Sequence, residues 1–126
     1  MAPIAPTAFW QDMRTTDFAT VDPARTVALL PVAAVEQHGP HLPLSTDAVI
    51  NEGIVRLMMQ RLPAGSSVLV LPALAVGDSL EHTAFKGTLS VDLQALLGLW
   101  LSIGHSVARA GCLLYNSYGA DELTRV

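Results

Sequence analysis

The run Thr26-Val-Ala-Leu-Leu-Pro-Val32 leads through Ala33, Ala34 and Val35 into Glu36-Gln-His-Gly-Pro-His-Leu-Pro-Leu-Ser-Thr-Asp47. Its first part is short and continuously apolar, the pattern of a strand covered on both faces. The second part therefore leaves a strand's C-terminal end. Glu36 and His38, one residue apart, project to the same side of an extended backbone because side chains there alternate with a period of two. Gly39, Pro40 and Pro43 then bend the path. Asp47 follows where Ser45 or Thr46 is placed to cap a helix, and the first helical turn favours negative charge. Oxygen and nitrogen donors without thiolate suit zinc, manganese or magnesium. Such an ion with an open coordination position polarises a carbonyl or acidifies water, so hydrolysis is the natural reaction class. The same residues also read as ordinary polar loop groups beside an N-capped helix.

Outward from this stretch, strand and helix signals alternate without repeats or low-complexity tracts. A lead-in over residues 1–23 contains a short predicted helix around Ala8 to Thr16. A helix is expected from about Thr46 to Leu62, with Ile50, Ile54, Leu57 and Met58 on one arc and Glu52 and Arg56 paired on another, stopped by Pro63 to Gly65. Ser67 to Leu71 reads as the next strand. Residues 72–87 form a long loop, and loops of that length inside a domain are usually functional. Ser90 is the expected cap of a last long helix reaching about Ala110, with Gly111 ending it. Its wetter stripe holds Gln94, Gly98, Ser102, His105, Ser106 and Arg109, so His105 is not a candidate ligand. The apolar remainder, including Leu93, Leu97, Trp100 and Leu101, needs cover from the sheet and from something further. Cys112 to Tyr115 completes the pattern as a third strand. This order predicts an α/β fold of three layers, a mostly parallel sheet flanked by helices, in a single domain over residues 1–126. In such sheets ligands collect beyond the carboxyl ends of the strands.

Composition sets bounds. Of 126 residues 51% are hydrophobic and 14% charged, enough for one core. Seven Lys and Arg against eleven Asp and Glu give a net charge of −4, which disfavours nucleic acid or an anionic membrane as partner. Cys112 is the one cysteine, so no internal disulfide forms, and it reads as a small buried apolar residue. The N-terminus lacks the basic and apolar regions of a secretory signal, and the apolar stretch from Leu93 to Ala108 is too short and too polar to span a bilayer. A cytoplasmic protein is expected, and unpaired sheet edges with a broad apolar helix face point to a homo-oligomer.

The segment from Leu30 to Asp47 resembles the signature of the creatininase (creatinine amidohydrolase) family. Gly77-Asp-Ser-Leu-Glu-His-Thr-Ala-Phe-Lys-Gly-Thr88 is similar to that family's G-x-S-x-x-H-x-x-F-P-G-T loop, with Lys86 in place of proline. Asn116-Ser-Tyr-Gly-Ala-Asp121 sits where the family carries an Asn-Gly-His block. The resemblance implies a binuclear metal hydrolase of cyclic or linear amides, acting on C–N bonds other than peptide bonds. It implies Glu36, His38 and Asp47 as catalytic metal ligands, with Asp47 the carboxylate shared between ions. The remaining ligands are not carried over. Tyr118 stands at the histidine position, and a phenol ligates only after losing a proton near pH 10. Ala120, at the glutamate position of creatininase itself, cannot ligate. Family members are also longer, and their later half supplies residues around the substrate, so the chain reads as the N-terminal half of the fold.

Two functional readings follow. In the first, the chain is a metal-dependent amidohydrolase using zinc or manganese, two ions in the family and one or none here, on a small-molecule amide. In the second it is a shortened, catalytically silent creatininase-like subunit or binding module, as Tyr118 and Ala120 favour. Ser79, His82 and Tyr118 are candidates for the substrate side; Ser79, Glu81 and His82 read equally as touching substrate, as orienting a ligand, or as a polar loop capped by its own side chains. His41, between Pro40 and Pro43, reads as a loop residue behind the ligands. Gly87 and Thr88 read as turn chemistry, and Trp10 and Trp100 as core or interface residues.

Overall fold

The computed structural model describes residues 7–116, with side chains to residue 112. Four strands, β1 (Ala8–Phe9), β2 (Val27–Leu30), β3 (Val68–Val70) and β4 (Leu113–Asn116), form one sheet in the order β1-β3-β2-β4, and every pairing is parallel. Helix α1 (Thr46–Arg61) links β2 to β3, and α2 (Leu93–Arg109) links β3 to β4. β3 lies on one side of β2 and β4 on the other, so the two crossovers run in opposite directions. Crossovers of one hand running in opposite directions put their helices on opposite faces, and the core divides accordingly. Ala28, Leu30, Leu69 and Leu71 pack with Val107 of α2 and Cys112, whereas Leu29 and Val70 pack with Val55 of α1. Alternate residues of β2 thus serve alternate faces. This is the expected three-layer α/β arrangement, with an additional strand.

That strand corrects the reading of the lead-in. Ala8 and Phe9 pair with Leu69 and Val70 instead of starting a helix, and the Thr7 hydroxyl donates to the Ser66 carbonyl at 2.9 Å. Short 3-10 turns follow at Trp10–Asp12 and Thr15–Thr20, and Trp10 packs on Phe18 with ring centroids 4.7 Å apart. A two-residue strand carries too little periodicity to be seen locally.

Helix boundaries differ in instructive ways. Asp92, not Ser90, caps α2, its Oδ1 accepting from the amides of Gln94 at 3.0 Å and Ala95 at 3.3 Å. The Ser90 hydroxyl instead accepts from the Ser79 amide at 2.9 Å. Gly111, at φ +83°, ends α2 as expected, with Cys112 N–H reaching the Val107 carbonyl and Gly111 N–H the Ala108 carbonyl. On α1, neither Ser45 nor Thr46 caps through its side chain: Ser45 makes no such bond, and the Thr46 hydroxyl donates to the Pro43 carbonyl. The arc of α1 that meets the sheet holds Val55, Met58 and Met59, while Ile50, Ile54 and Leu57 of the expected arc are exposed. Apolar and polar residues are interspersed around the whole helix, so periodicity does not select the buried face. His105 is exposed, as its stripe predicts.

The crossover connections reverse direction between β2 and β3: the segment after β2 leaves towards the α1 face, and the segment after β3 towards the α2 face. The crevice beyond the carboxyl ends of these two strands is therefore the topological switch point. Loops 31–45 and 71–92 meet there. The Ala33 amide donates to Leu74 and the Leu74 amide to Pro31, both at 2.9 Å. Val35 and Leu89 pair as an antiparallel bridge, and the Gln37 amide donates to the Thr88 hydroxyl at 3.1 Å. Gly77 lies so close to the first loop that a Cβ would stand 3.0 Å from the Ala33 carbonyl oxygen.

Candidate metal centre

Asp47 is returned to Glu36 and His38 by a short reversal. Gly39 takes φ +74°, His38 pairs with Leu42 as an antiparallel bridge, and the Glu36 amide donates to the Leu44 carbonyl at 3.3 Å. The Thr46 bonds to Pro43 then start α1 with Asp47 in its first turn. As a result one donor atom from each of Glu36, His38 and Asp47 lies within 4.8 Å of the others. All three residues are half-buried.

The hydrogen bonds of His38 carry further information. Its Nδ1 lies 3.1 Å from the Glu36 carbonyl oxygen, which can only accept, so Nδ1 carries the hydrogen. In the neutral ring Nε2 is then a bare lone pair, yet it stands 3.2 Å from the carboxylate Asp47 Oδ1. Two acceptors face each other. That contact is favourable only with a cation between them or with a proton on Nε2. The His38 pKa is accordingly raised, first by the bond to the Glu36 carbonyl and then by the Asp47 and Glu36 carboxylates, against an opposing effect of burial.

Residues of the second loop approach from the other side. His82 Nε2 stands 3.8 Å from Glu36 Oε2 and 3.9 Å from Glu81 Oε1, making Glu36, Glu81 and His82 a second group of donors within 4.8 Å of one another. Gln37 Nε2 lies 2.9 Å from His82 Nδ1, and Gln37 Oε1 accepts from the Gly39 amide at 3.0 Å. Ser79 is fully buried, with no hydrogen-bond partner for its hydroxyl among the described residues, and it does not line the cleft described below. His41 is exposed and outside both donor groups. Tyr118 and Ala120 lie outside the described residues.

A cleft of about 580 Å³ opens beside the centre, lined by Glu36, Asp47, Asp78 and Glu81 and by Leu96 and Trp100 of α2. The indole N–H of Trp100 is buried without a partner among the described residues. Asp78 and Trp100 were not singled out for this role from the sequence. The place of Asp78 in the long loop over residues 72–87 was the available signal for the first, and no local signal separates Trp100 from an ordinary core tryptophan.

The family model described as "Creatininase: Creatinine amidohydrolase" matches residues 11–117. The chain belongs to the creatininase family. It is 39% identical over 99 residues to the mycofactocin precursor peptide peptidase of Mycolicibacterium smegmatis, an alignment covering 75% of this chain and 40% of that protein. Creatinine amidohydrolase of Pseudomonas putida is 32% identical over 90 residues, 68% of this chain and 33% of that one. Among solved structures, a manganese creatininase superposes with TM-score 0.71 at 27% identity, over 88% of this chain and 44% of its own. A mutant creatininase of Zn-Zn type gives TM-score 0.71 at 29% identity, over 86% and 44%. The chain thus spans less than half the length of these relatives. The donor set at the switch point and the manganese and zinc in these relatives together support a divalent metal in general.

Proposed function

We propose that the chain forms the metal-holding half of an amidohydrolase, with Glu36, His38 and Asp47 gripping one divalent ion, zinc or manganese. The observation that carries this reading is the His38–Asp47 contact, in which an imidazole lone pair and a carboxylate oxygen meet at 3.2 Å with the imidazole's other nitrogen already committed as donor. A divalent ion bound there supplies Lewis acidity to an amide carbonyl and to water. The residues themselves supply the rest: Glu36 and Asp47 hold the negative charge that retains the ion, and the Glu36 carbonyl keeps the His38 ring turned towards it.

The substrate is proposed to be a linear peptide-like amide rather than creatinine, because the relatives named as peptidases reach 39% and 41% identity and the creatinine amidohydrolase 32%. The four carboxylates on the cleft disfavour an anionic substrate. Metal analysis of protein purified without chelator, paired with hydrolysis assays on short peptides and on creatinine, tests this reading. One bound ion and peptide cleavage support it. Protein that takes up no zinc or manganese removes it.

A second reading rests on a separate observation. Tyr118 and Ala120 replace a histidine and a glutamate of the family pattern, so a chain that binds its ion yet turns over neither substrate acts as a subunit or binding module. Exposed apolar residues on α1 (Val49, Ile50, Ile54, Leu57) and α2 (Leu93, Leu97, Leu99, Leu101) give such a module faces for self-association.

A further inference from the structure

The donor group Glu36, Glu81 and His82 shares Glu36 with the metal centre and has the composition of a second cation site. The hydrogen bonds around it argue for a different use. Gln37 Oε1 accepts from the Gly39 backbone N–H, a donor that cannot be exchanged for an acceptor. The orientation of the Gln37 amide is thereby fixed, and its NH2 group is what faces His82 Nδ1 at 2.9 Å. An NH2 group only donates, so His82 Nδ1 must accept, and the hydrogen of the neutral ring resides on Nε2. Nε2 is the nitrogen directed at the carboxylates, 3.8 Å from Glu36 Oε2 and 3.9 Å from Glu81 Oε1. A nitrogen carrying hydrogen has no lone pair for a metal.

The histidines on either side of Glu36 are therefore held in opposite tautomers. His38 donates through Nδ1 to a carbonyl and presents a bare Nε2, which suits a ligand. His82 accepts at Nδ1 from an amide and presents Nε2–H, which suits a donor to a carboxylate. Glu36 meets both rings, His38 through its main-chain carbonyl and His82 through its carboxylate. It is a neighbour of Gln37 in sequence, so the loop that places the carboxylate also places the amide that sets the second ring. The second loop is tied to this point by the Gln37 amide on the Thr88 hydroxyl.

We propose that Gln37 locks His82 as a neutral Nε2–H donor, and that His82 is a positioning residue for the Glu36 carboxylate rather than a ligand of a second ion. At 3.8 Å the pair is an electrostatic contact and not yet a hydrogen bond. The effect is to restrict Glu36 Oε2, so that less carboxylate freedom is lost when an ion is gripped. This rests on the metal reading above for its purpose, but not for the tautomers, which are properties of the metal-free chain.

Long-range proton–nitrogen correlation spectra of the full, metal-free, nitrogen-15-labelled chain in mildly alkaline buffer read both rings directly. The expected result is the Nε2–H form for His82 and the Nδ1–H form for His38. Gln37→Glu keeps an acceptor for the Gly39 amide but presents only oxygens to His82 Nδ1, and is expected to move the His82 hydrogen to Nδ1. A purely structural role would leave that signature untouched. In manganese titrations, His82→Ala is expected to weaken binding about tenfold, the lower end of what loss of a ligand-orienting partner costs. His82→Gln, whose side-chain N–H stands where Nε2–H stood, is expected to recover most of that loss. An Nδ1–H form in the wild-type chain overturns the proposal even if a variant fails to fold. So does unchanged affinity in His82→Ala, or uptake of two ions falling to one in that variant. A wild-type chain that binds no ion overturns the metal reading instead, while the tautomers still decide the Gln37–His82 pairing.

Discussion

His38 Nε2 and Asp47 Oδ1 lie 3.2 Å apart across nine residues of chain, with the Nδ1 side of the same ring bonded to the Glu36 carbonyl. The arrangement is a proton trap or a cation trap, and pH selects between them. His38→Ala or Asp47→Ala should therefore reduce affinity for zinc or manganese by at least about a hundredfold, as expected when a metal loses one of few protein ligands and not merely an orienting partner. Calorimetric titration of the full chain and each variant reads this.

The sign of the pH effect follows from His38. Its folded pKa is raised, first by the Glu36 carbonyl bond. Protonated Nε2 cannot ligate, so ion uptake should weaken as pH falls through a window lying above the ordinary histidine value near 6.5, with release of a proton on binding. For the metal-free chain the linkage runs the other way: the raised pKa contributes stability that is complete below the unfolded value and is lost as pH rises through the folded one. Thermal unfolding with and without zinc across that range should show opposite slopes.

Gly87 sits at φ +94°, and a Cβ there would lie 2.8 Å from Leu44 Cδ1. Leu44 supplies the carbonyl that receives the Glu36 amide. Gly87→Ala should cost about 1–3 kcal/mol in stability from the left-handed backbone alone, and should also loosen metal binding through Leu44. Denaturant unfolding and metal titration of one variant check both effects.

Much of the architecture was readable because the decisive signals are local. The apolar run over residues 26–32, the Gly39-Pro40 bend and Gly111 each act on their neighbours, and they suffice to place Glu36, His38 and Asp47 at a strand's carboxyl end. What the sequence did not disclose depends on distant partners. β1 exists because Leu69 and Val70 lie beside it. Ser90 looks like a helix cap, but its hydroxyl is taken by Ser79, leaving Asp92 to cap α2. The buried face of α1 is chosen by the sheet, since apolar residues are spread around the helix and no one face stands out. His82 reaches Glu36 only because the two loops meet at the switch point, and Gln37, which orients it, carries no chemical signature of its own.

Asp92→Ala removes the acceptor of two helix amides and should destabilise the chain by about 1 kcal/mol without altering metal affinity. Ser90→Ala should leave helix content unchanged and instead free the Ser79 amide, seen as faster hydrogen exchange at Ser79.

The exposed apolar stripe of α1 gives a further expectation. Ile54 is 62% exposed, with the exposed Ile50 and Leu57 one turn to either side of it on the helix surface. Ile54→Glu should shift sedimentation towards the monomer if this face joins copies of the chain, leaving the far-ultraviolet dichroism unchanged.

The most direct test of the metal centre is anomalous diffraction at the zinc edge from crystals of the full chain grown with zinc. The account expects one strong peak about 2.0–2.2 Å from His38 Nε2 and from carboxylate oxygens of Glu36 and Asp47, the ordinary zinc distances to nitrogen and oxygen. A structure with zinc in the medium but no peak among these three side chains, the His38 ring still facing Asp47, would contradict it.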